Sequence, residues 1–117
     1  SADFKTNLSI KNDDMSVYDQ VPSVQDYIEN VKTGLIQAIP GIKFNYENQG
    51  KIDGRNAFFV ECESTQQEVD FKTLLVFIEG DNNMIWAISF NTLQSSWATY
   101  RDLFYQTAQS FQFKTVK

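Results

Sequence analysis

The run Leu74-Leu75-Val76-Phe77-Ile78, within EVDFKTLLVFIEGDNNMIWAISFN from Glu68 to Asn91, constrains the fold more than any other part of the chain. Five consecutive apolar residues are apolar on both sides of a strand, which is the pattern of a strand in the middle of a covered sheet. Gly80–Asn83 follows, a cluster that accepts positive φ. Apolar residues return from Met84 to Asn91. The stretch therefore reads as two strands joined by a tight turn, with both faces of the first needing cover.

The remaining elements follow from periodicity. In Asp3–Lys11, Phe4, Thr6, Leu8 and Ile10 alternate onto one face of a strand, which Asn12, Asp13 and Asp14 should end. Met15–Val21 is expected to be an irregular link. Ser23 then caps a helix, with Asp26 where its charge suits the N-terminus. Val24, Tyr27, Ile28, Val31, Leu35 and Ile39 make its apolar stripe, and Pro40-Gly41 stops it. Gly34 would allow a close approach to the sheet. Ile42–Glu47 alternates as a strand with Ile42, Phe44 and Tyr46 on one face. Asn48–Gly54 is turn-rich and contains the hairpin signal Asp53-Gly54. Arg55–Glu63 and Glu68–Glu79 are the next strands. A second helix over Ser95–Ser110, capped by Ser95 or Thr92, carries the stripe Trp97, Tyr100, Phe104, Ala108 and Phe111.

Simple four-residue loops at Ser64–Gln67 and Gly80–Asn83 set a register. Glu63 then faces Glu68, Glu61 faces Asp70, Phe77 faces Trp86 and Leu75 faces Ile88. One face collects Phe58, Val60, Cys62, Val69, Phe71, Leu75, Phe77, Met84, Trp86, Ile88 and Phe90. The other collects Ala57, Phe59, Leu74, Val76, Ile78, Ile85 and Ala87. A slip of two residues would keep these faces, and a slip of one would not. Two apolar faces and two helices give an α+β fold, an antiparallel β-sheet sandwiched between two helices in α/β/α layers.

With 117 residues the chain is one domain by length. Its aromatic share of 15% means a core of few, large side chains. The net charge of −5 and the lack of a Lys/Arg run argue against nucleic acid and against an anionic membrane surface. No run of ~18 apolar residues is present, so no membrane insertion is expected. Histidine is absent and Cys62 is the one cysteine. That excludes Ser-His-Asp and Cys-His nucleophiles, His-ligated zinc, a thiolate cage and an intrachain disulfide. Cys62 itself is expected to be a small buried strand residue, with Glu61 and Glu63 beside it instead of a cation that would activate its thiol. No catalytic motif stands out, and neither a cofactor nor a metal is expected. The chain opens SADFKTN, as a mature or trimmed fragment would.

The order of parts is carried by LSI (8–10), PSVQDYIENV (22–31), GKIDGRNAFFVE (50–61), MIWAISF (84–90) and YRDLFYQTAQSFQF (100–113). It resembles the PsbP-like superfamily, and the bacterial envelope lipoprotein branch in particular. The resemblance covers nearly the whole chain from Phe4. Gly54-Arg55-Asn56-Ala57 and the closing Ser110-Phe111 are its most telling pieces, and they are structural: a turn, a small residue under a helix, an anchor for the last helix. It implies a single PsbP-like domain over 1–117, short at the N-terminus where members often begin with an additional hairpin. The absence of histidine departs from a His-containing manganese-type site in photosynthetic members. The resemblance further implies an extracytoplasmic protein of the cell envelope, lipid-anchored upstream of this chain, that binds a protein partner or helps an assembly.

The sharpest local feature is the acidic group Glu61, Glu63, Glu68 and Asp70 at one hairpin end. Four carboxylates on one face repel. A solvated end, a basic partner or a Ca²⁺/Mg²⁺ ion would each relieve this, and the first is the simplest account. Tyr105 lies off its helix stripe and, with Tyr18 and Tyr46, is available to a binding surface. These five residues, Glu61, Glu63, Glu68, Asp70 and Tyr105, are the candidate binding residues, with a non-catalytic role expected. The alternative is a small-ligand-binding or hydrolytic protein with a pocket between helix and sheet, which a cavity of ~300–1,000 Å³ with convergent polar groups would favour.

Overall fold

The computed structural model describes residues 6–17 and 23–113. The elements run β1 (Asn7–Asp14), a 3₁₀ turn (Met15–Val17), α1 (Val24–Ala38), β2 (Lys43–Ile52), β3 (Arg55–Gln66), β4 (Val69–Glu79), β5 (Met84–Leu93), a second 3₁₀ turn (Gln94–Ser96) and α2 (Trp97–Gln109). The strands form one antiparallel sheet in the order β1-β5-β4-β3-β2. Three successive hairpins build β2 to β5, and β1 returns to the far edge beside β5. The expected α+β class is the one observed, and β4 is the central strand. The expected parts at Phe4, Tyr18 and Val21 lie outside the described residues.

Each helix has its own core. On one face Val24, Tyr27 and Ile28 of α1 pack with Met15, Phe58, Val60, Phe77 and Ile85. On the other, Phe104 and Ala108 of α2 pack with Ala57, Phe59, Leu74, Val76, Ile78, Ile88 and Phe90. Val76 and Ile78 thus face α2 while Phe77 faces α1, which is why the run at 74–78 is continuously apolar. Ser23 is the N-cap of α1, its Oγ accepting from the Asp26 backbone N–H at 3.0 Å. Gly41, at φ 84°, turns the chain after α1. Gly34 does not approach the sheet, since nothing lies within 4 Å of the position its Cβ would take. No side chain caps α2, because Thr92 is buried in β5 and the 3₁₀ turn supplies the first turn.

The turns decide the register, and they depart from the expected loops in three ways. Between β2 and β3 the Asp53-Gly54 turn forms with φ 51° and 74°, as the sequence signals, and β2 runs straight up to it through Asn48–Ile52. Between β3 and β4 the turn is only Gln67-Glu68, at φ 51° and 66°. β3 is longer than expected, running on to Gln66, β4 begins at Val69, and Glu61 pairs with Leu74 and Glu63 with Lys72. This shift of four residues preserves parity, so the predicted faces of β3 and β4 stand.

Between β4 and β5 parity is lost. Asn82 and Asn83 make the turn at φ 56° and 64°, and the Met84 N–H donates to the Asp81 carbonyl at 3.1 Å. The Gly80 N–H then donates to the Met84 carbonyl at 2.8 Å, so Gly80 and Asp81 both oppose Met84. That bulge moves β5 by one residue. Phe77 pairs with Ala87, Ile78 with Trp86 and Leu75 with Ser89. The expected Phe77–Trp86 and Leu75–Ile88 pairs do not form. Trp86, Ile88 and Phe90 turn to the α2 face, and Ile85 and Ala87 to the α1 face. Gly80 leaves room beside this bulge for the Trp86 indole, which a Cβ there would meet at 3.0 Å.

A second bulge lies at Asn45. Phe44 pairs with Cys62 but Tyr46 with Glu61, so Phe44 faces α1 and Tyr46 faces α2, where one shared face was expected. The bulge and the exposed residues Lys43, Glu47 and Lys51 mark β2 as a bent, charged edge. At the opposite edge β1 pairs without interruption from Asn7 to Asp14, through the Asn12-Asp13-Asp14 segment expected to end it.

Candidate functional site

Glu61 and Tyr105, expected separately, meet beneath α2. Tyr105 Oη donates to Glu61 Oε2 at 2.5 Å, and Arg101 Nη2 donates to the same oxygen at 3.1 Å. Glu61 is 6% exposed, so its carboxylate depends on these two donors in place of water. Arg101 and Tyr105 are one helical turn apart on one flank of α2, and the guanidinium lies over the Tyr105 ring at 4.8 Å. The Tyr105 ring also stacks on Phe59 at 5.5 Å. Burial, and then the hydrogen bond to Glu61, push the Tyr105 phenol well above its ordinary range. It stays a neutral donor. The arrangement latches α2 to β3 through one carboxylate oxygen that takes two donors.

The other acidic residues part company. Glu63 lies 3.7 Å from Lys72 Nζ, which also donates to Asn45 Oδ1 at 2.8 Å and sits 5.4 Å above the Trp97 ring. The pair Glu63–Lys72 replaces the like-charged Glu63–Glu68 pair that four-residue loops would have made. Glu68 is exposed in the turn, and Asp70 is exposed with its carboxylate accepting from Thr65 Oγ1 at 2.6 Å. All except Glu68 keep the α2 side of the sheet. Among the described residues no group of three or more acidic or cysteine side chains is close enough to hold a metal ion. Tyr46 is exposed at the rim, beside Glu61, and Tyr18 lies outside the described residues.

Removing the Tyr105 hydroxyl leaves Glu61 buried with Arg101 as its remaining side-chain donor. Tyr105→Phe is expected to cost about 1–3 kcal/mol in urea denaturation, the range for a buried acceptor losing a partner. A cost below about 0.5 kcal/mol would show that water replaces the hydroxyl and that the latch is not closed.

The other face holds a groove. The stripe of α1 is buried from Val24 to Ile28 and packed at Val31, but Leu35 and Ile39 are only half-buried. Beneath them the sheet carries Cys62, Phe71, Thr73 and Leu75, and a cavity of about 330 Å³ lies between, lined also by Ile42, Ser64, Ser89 and Asn91. Its floor includes one cross-strand row, Asn7–Asn91–Thr73–Cys62. Thr73 Oγ1 donates to Asn91 Oδ1 at 2.9 Å, and Asn91 Nδ2 donates to Asn7 Oδ1 at 3.1 Å and Ser89 Oγ at 3.2 Å. The groove is thus apolar on the helix side and polar along the floor. Cys62 is 3% exposed, and burial pushes its thiol up to about 11. A neutral thiol supplies neither a nucleophile nor a metal ligand at neutral pH.

Sequence reasoning missed Arg101, Lys72 and Asn45, and it raised a pocket between helix and sheet only as the alternative, without its place. The spacing of Arg101 and Tyr105 was visible, and nothing in the sequence showed which carboxylate they would reach. The groove has no linear signature, because it arises where α1 diverges from the sheet.

No protein-family model and no curated protein matches this chain. Solved structures do. Protein PA94 of Pseudomonas aeruginosa, of unknown function, is similar at a TM-score of 0.75 and 16% identity, over 97% of this chain and 87% of that one. Cyanobacterial PsbP (CyanoP) of Synechocystis sp. PCC 6803 is similar at a TM-score of 0.66 and 16% identity, over 93% of this chain and 68% of that one. The fold is PsbP-like. Among the described residues no helix is long and apolar enough to cross a membrane.

Proposed function

We propose that this chain is a non-catalytic binding or assembly protein that works outside the cytoplasm, and that a protein partner seats in the groove under the C-terminal half of α1. The observation that carries this is the divergence of α1 from the sheet. Leu35 and Ile39 continue an apolar stripe, Phe71 and Leu75 lie opposite, and a cavity of about 330 Å³ separates them. Apolar surface held apart in this way is stabilised by an occupant. Glu68, exposed in the turn at the adjoining hairpin end, suits a partner with a basic residue beside its apolar anchor. The location outside the cytoplasm, with a lipid anchor upstream, follows the resemblance to envelope lipoproteins of this fold.

A small ligand is the second reading. The hydrogen-bonded row Thr73, Asn91 and Asn7, with Ser89, favours it, as does a volume at the lower end of small-molecule sites.

Cys62 reports on both. Its raised pKa means that alkylation by iodoacetamide is slow at neutral pH and speeds up about tenfold per pH unit until the pH nears 11. At about pH 9, an envelope extract from the producing organism is expected to slow labelling severalfold. The protecting fraction should be macromolecular, and Ser89→Tyr, which fills the groove, should fail to bind it. A low-molecular-mass protector would replace the protein partner by the small ligand. A partner held equally by Ser89→Tyr, or one that leaves labelling unchanged, would remove the groove from the function.

A further inference from the structure

The β1 edge carries exposed apolar side chains. Leu8 and Ile10 are 45% and 47% exposed, although their cross-strand neighbours Phe90 and Ile88 are buried. Leu103, 53% exposed, projects from the flank of α2 opposite Arg101 and Tyr105, the flank turned towards this edge. The backbone direction follows from one hydrogen bond. The Met15 N–H donates to the Asn83 carbonyl at 2.8 Å, which continues the β1–β5 register. In an antiparallel ladder the inward-bonding residues alternate. Those of β1 are therefore the odd-numbered ones. Leu8, Ile10 and Asn12 direct their N–H and C=O groups away from the sheet, so the exposed apolar side chains and the free backbone groups belong to the same residues.

We propose that two copies associate across a two-fold axis through antiparallel β1–β1 pairing, with Leu8 opposite Ile10 of the second copy. A two-fold pairing must match outward-bonding residues with each other, which leaves few registers. With Leu8 opposite Ile10, the apolar contact forms twice. Ser9 meets Ser9 of the second copy at the axis, and Asn7 meets Lys11. No like charges are opposed, and the Asp13-Asp14 ends of the two copies lie at opposite ends, outside the paired segment. Shifting so that Ile10 meets itself puts Leu8 opposite Asn12. One step further puts Lys11 opposite Lys11 and Leu8 opposite Asp14. The sequence NLSIKNDD thus favours this register over those two. Lys11 and Asp13, 3.6 Å apart, balance each other within each copy.

An edge contact of this kind is smaller than a standard interface, so self-association is expected at protein concentrations on the order of 1 mM. Sedimentation across a dilution series on the 117-residue chain should show a monomer–dimer equilibrium. Hydrogen exchange should then be concentration-dependent at Leu8, Ile10 and Asn12 and constant at Ser9, Lys11 and Asp13. Ile10→Lys changes an exposed side chain and is met twice across the axis, so it should weaken association at least about tenfold while leaving the circular dichroism spectrum unchanged. A monomer throughout the series would overturn the pairing and leave the edge to a different strand. A dimer without protection at Leu8 and Ile10, or one unaffected by Ile10→Lys, would overturn it in favour of another surface.

Discussion

Phe104→Ala is expected to cost about 3–5 kcal/mol of unfolding free energy. Phe104 is 4% exposed and meets Phe90 at 5.0 Å, Tyr100 at 5.8 Å and Trp97 at 6.0 Å between ring centroids. It is the residue through which α2 reaches the middle of the sheet. Its removal strands three aromatic neighbours around a void that neither β5 nor the helix can refill without leaving the Glu61 latch. Urea denaturation followed by tryptophan fluorescence measures this directly, since Trp97 is at the edge of the void. A loss near 1 kcal/mol would mean that α2 slides to close the space and that the latch does not fix its position.

The second large effect tests the bulge at Gly80 and Asp81. Phe77 is 2% exposed on the α1 face and meets Tyr27 edge-on at 5.9 Å, so Phe77→Ala should also cost about 3–5 kcal/mol. Trp86 is only partly buried on the other face, against Phe113 at 6.0 Å. Trp86→Ala should cost less, about 1–3 kcal/mol, as expected for incomplete burial. The two truncations belong to separate cores and their effects should add within about 0.5 kcal/mol in the double variant. Under the register with Phe77 opposite Trp86 they would be neighbours in one core, and their effects would couple. Thermodynamic coupling above about 1 kcal/mol would therefore refute the bulged register.

These two residues also show where the sequence stops being informative. The faces of β3 and β4 were legible because an error of four residues in the Gln67-Glu68 turn does not alter parity. The turn itself was not legible, since neither Gln67 nor Glu68 is a residue type that favours positive φ. In β5 a one-residue error reversed every side chain, and it came from a hydrogen bond at Gly80 that has no periodic signal. Asn45 did the same to Phe44 and Tyr46. The helix stripes were legible because each is read within one element. Of the candidate site, the carboxylates and Tyr105 were visible as types. Their partners were not, because Glu61 finds Arg101 and Tyr105 some forty residues away and Glu63 finds Lys72 only through the register.

The bent, charged β2 edge has a consequence for any assembly through β1. A strand that can be extended on one side only is a terminus, not a link. Two copies joined at β1 would present nothing but β2 edges outward, where the Asn45 bulge and the flanking lysines prevent a flush strand from docking. Growth would stop at a pair. A sheet of the same length with two flat edges would have no stop, and its copies could add indefinitely into a fibre. By making one edge irregular the chain gains a finite size for whatever it builds.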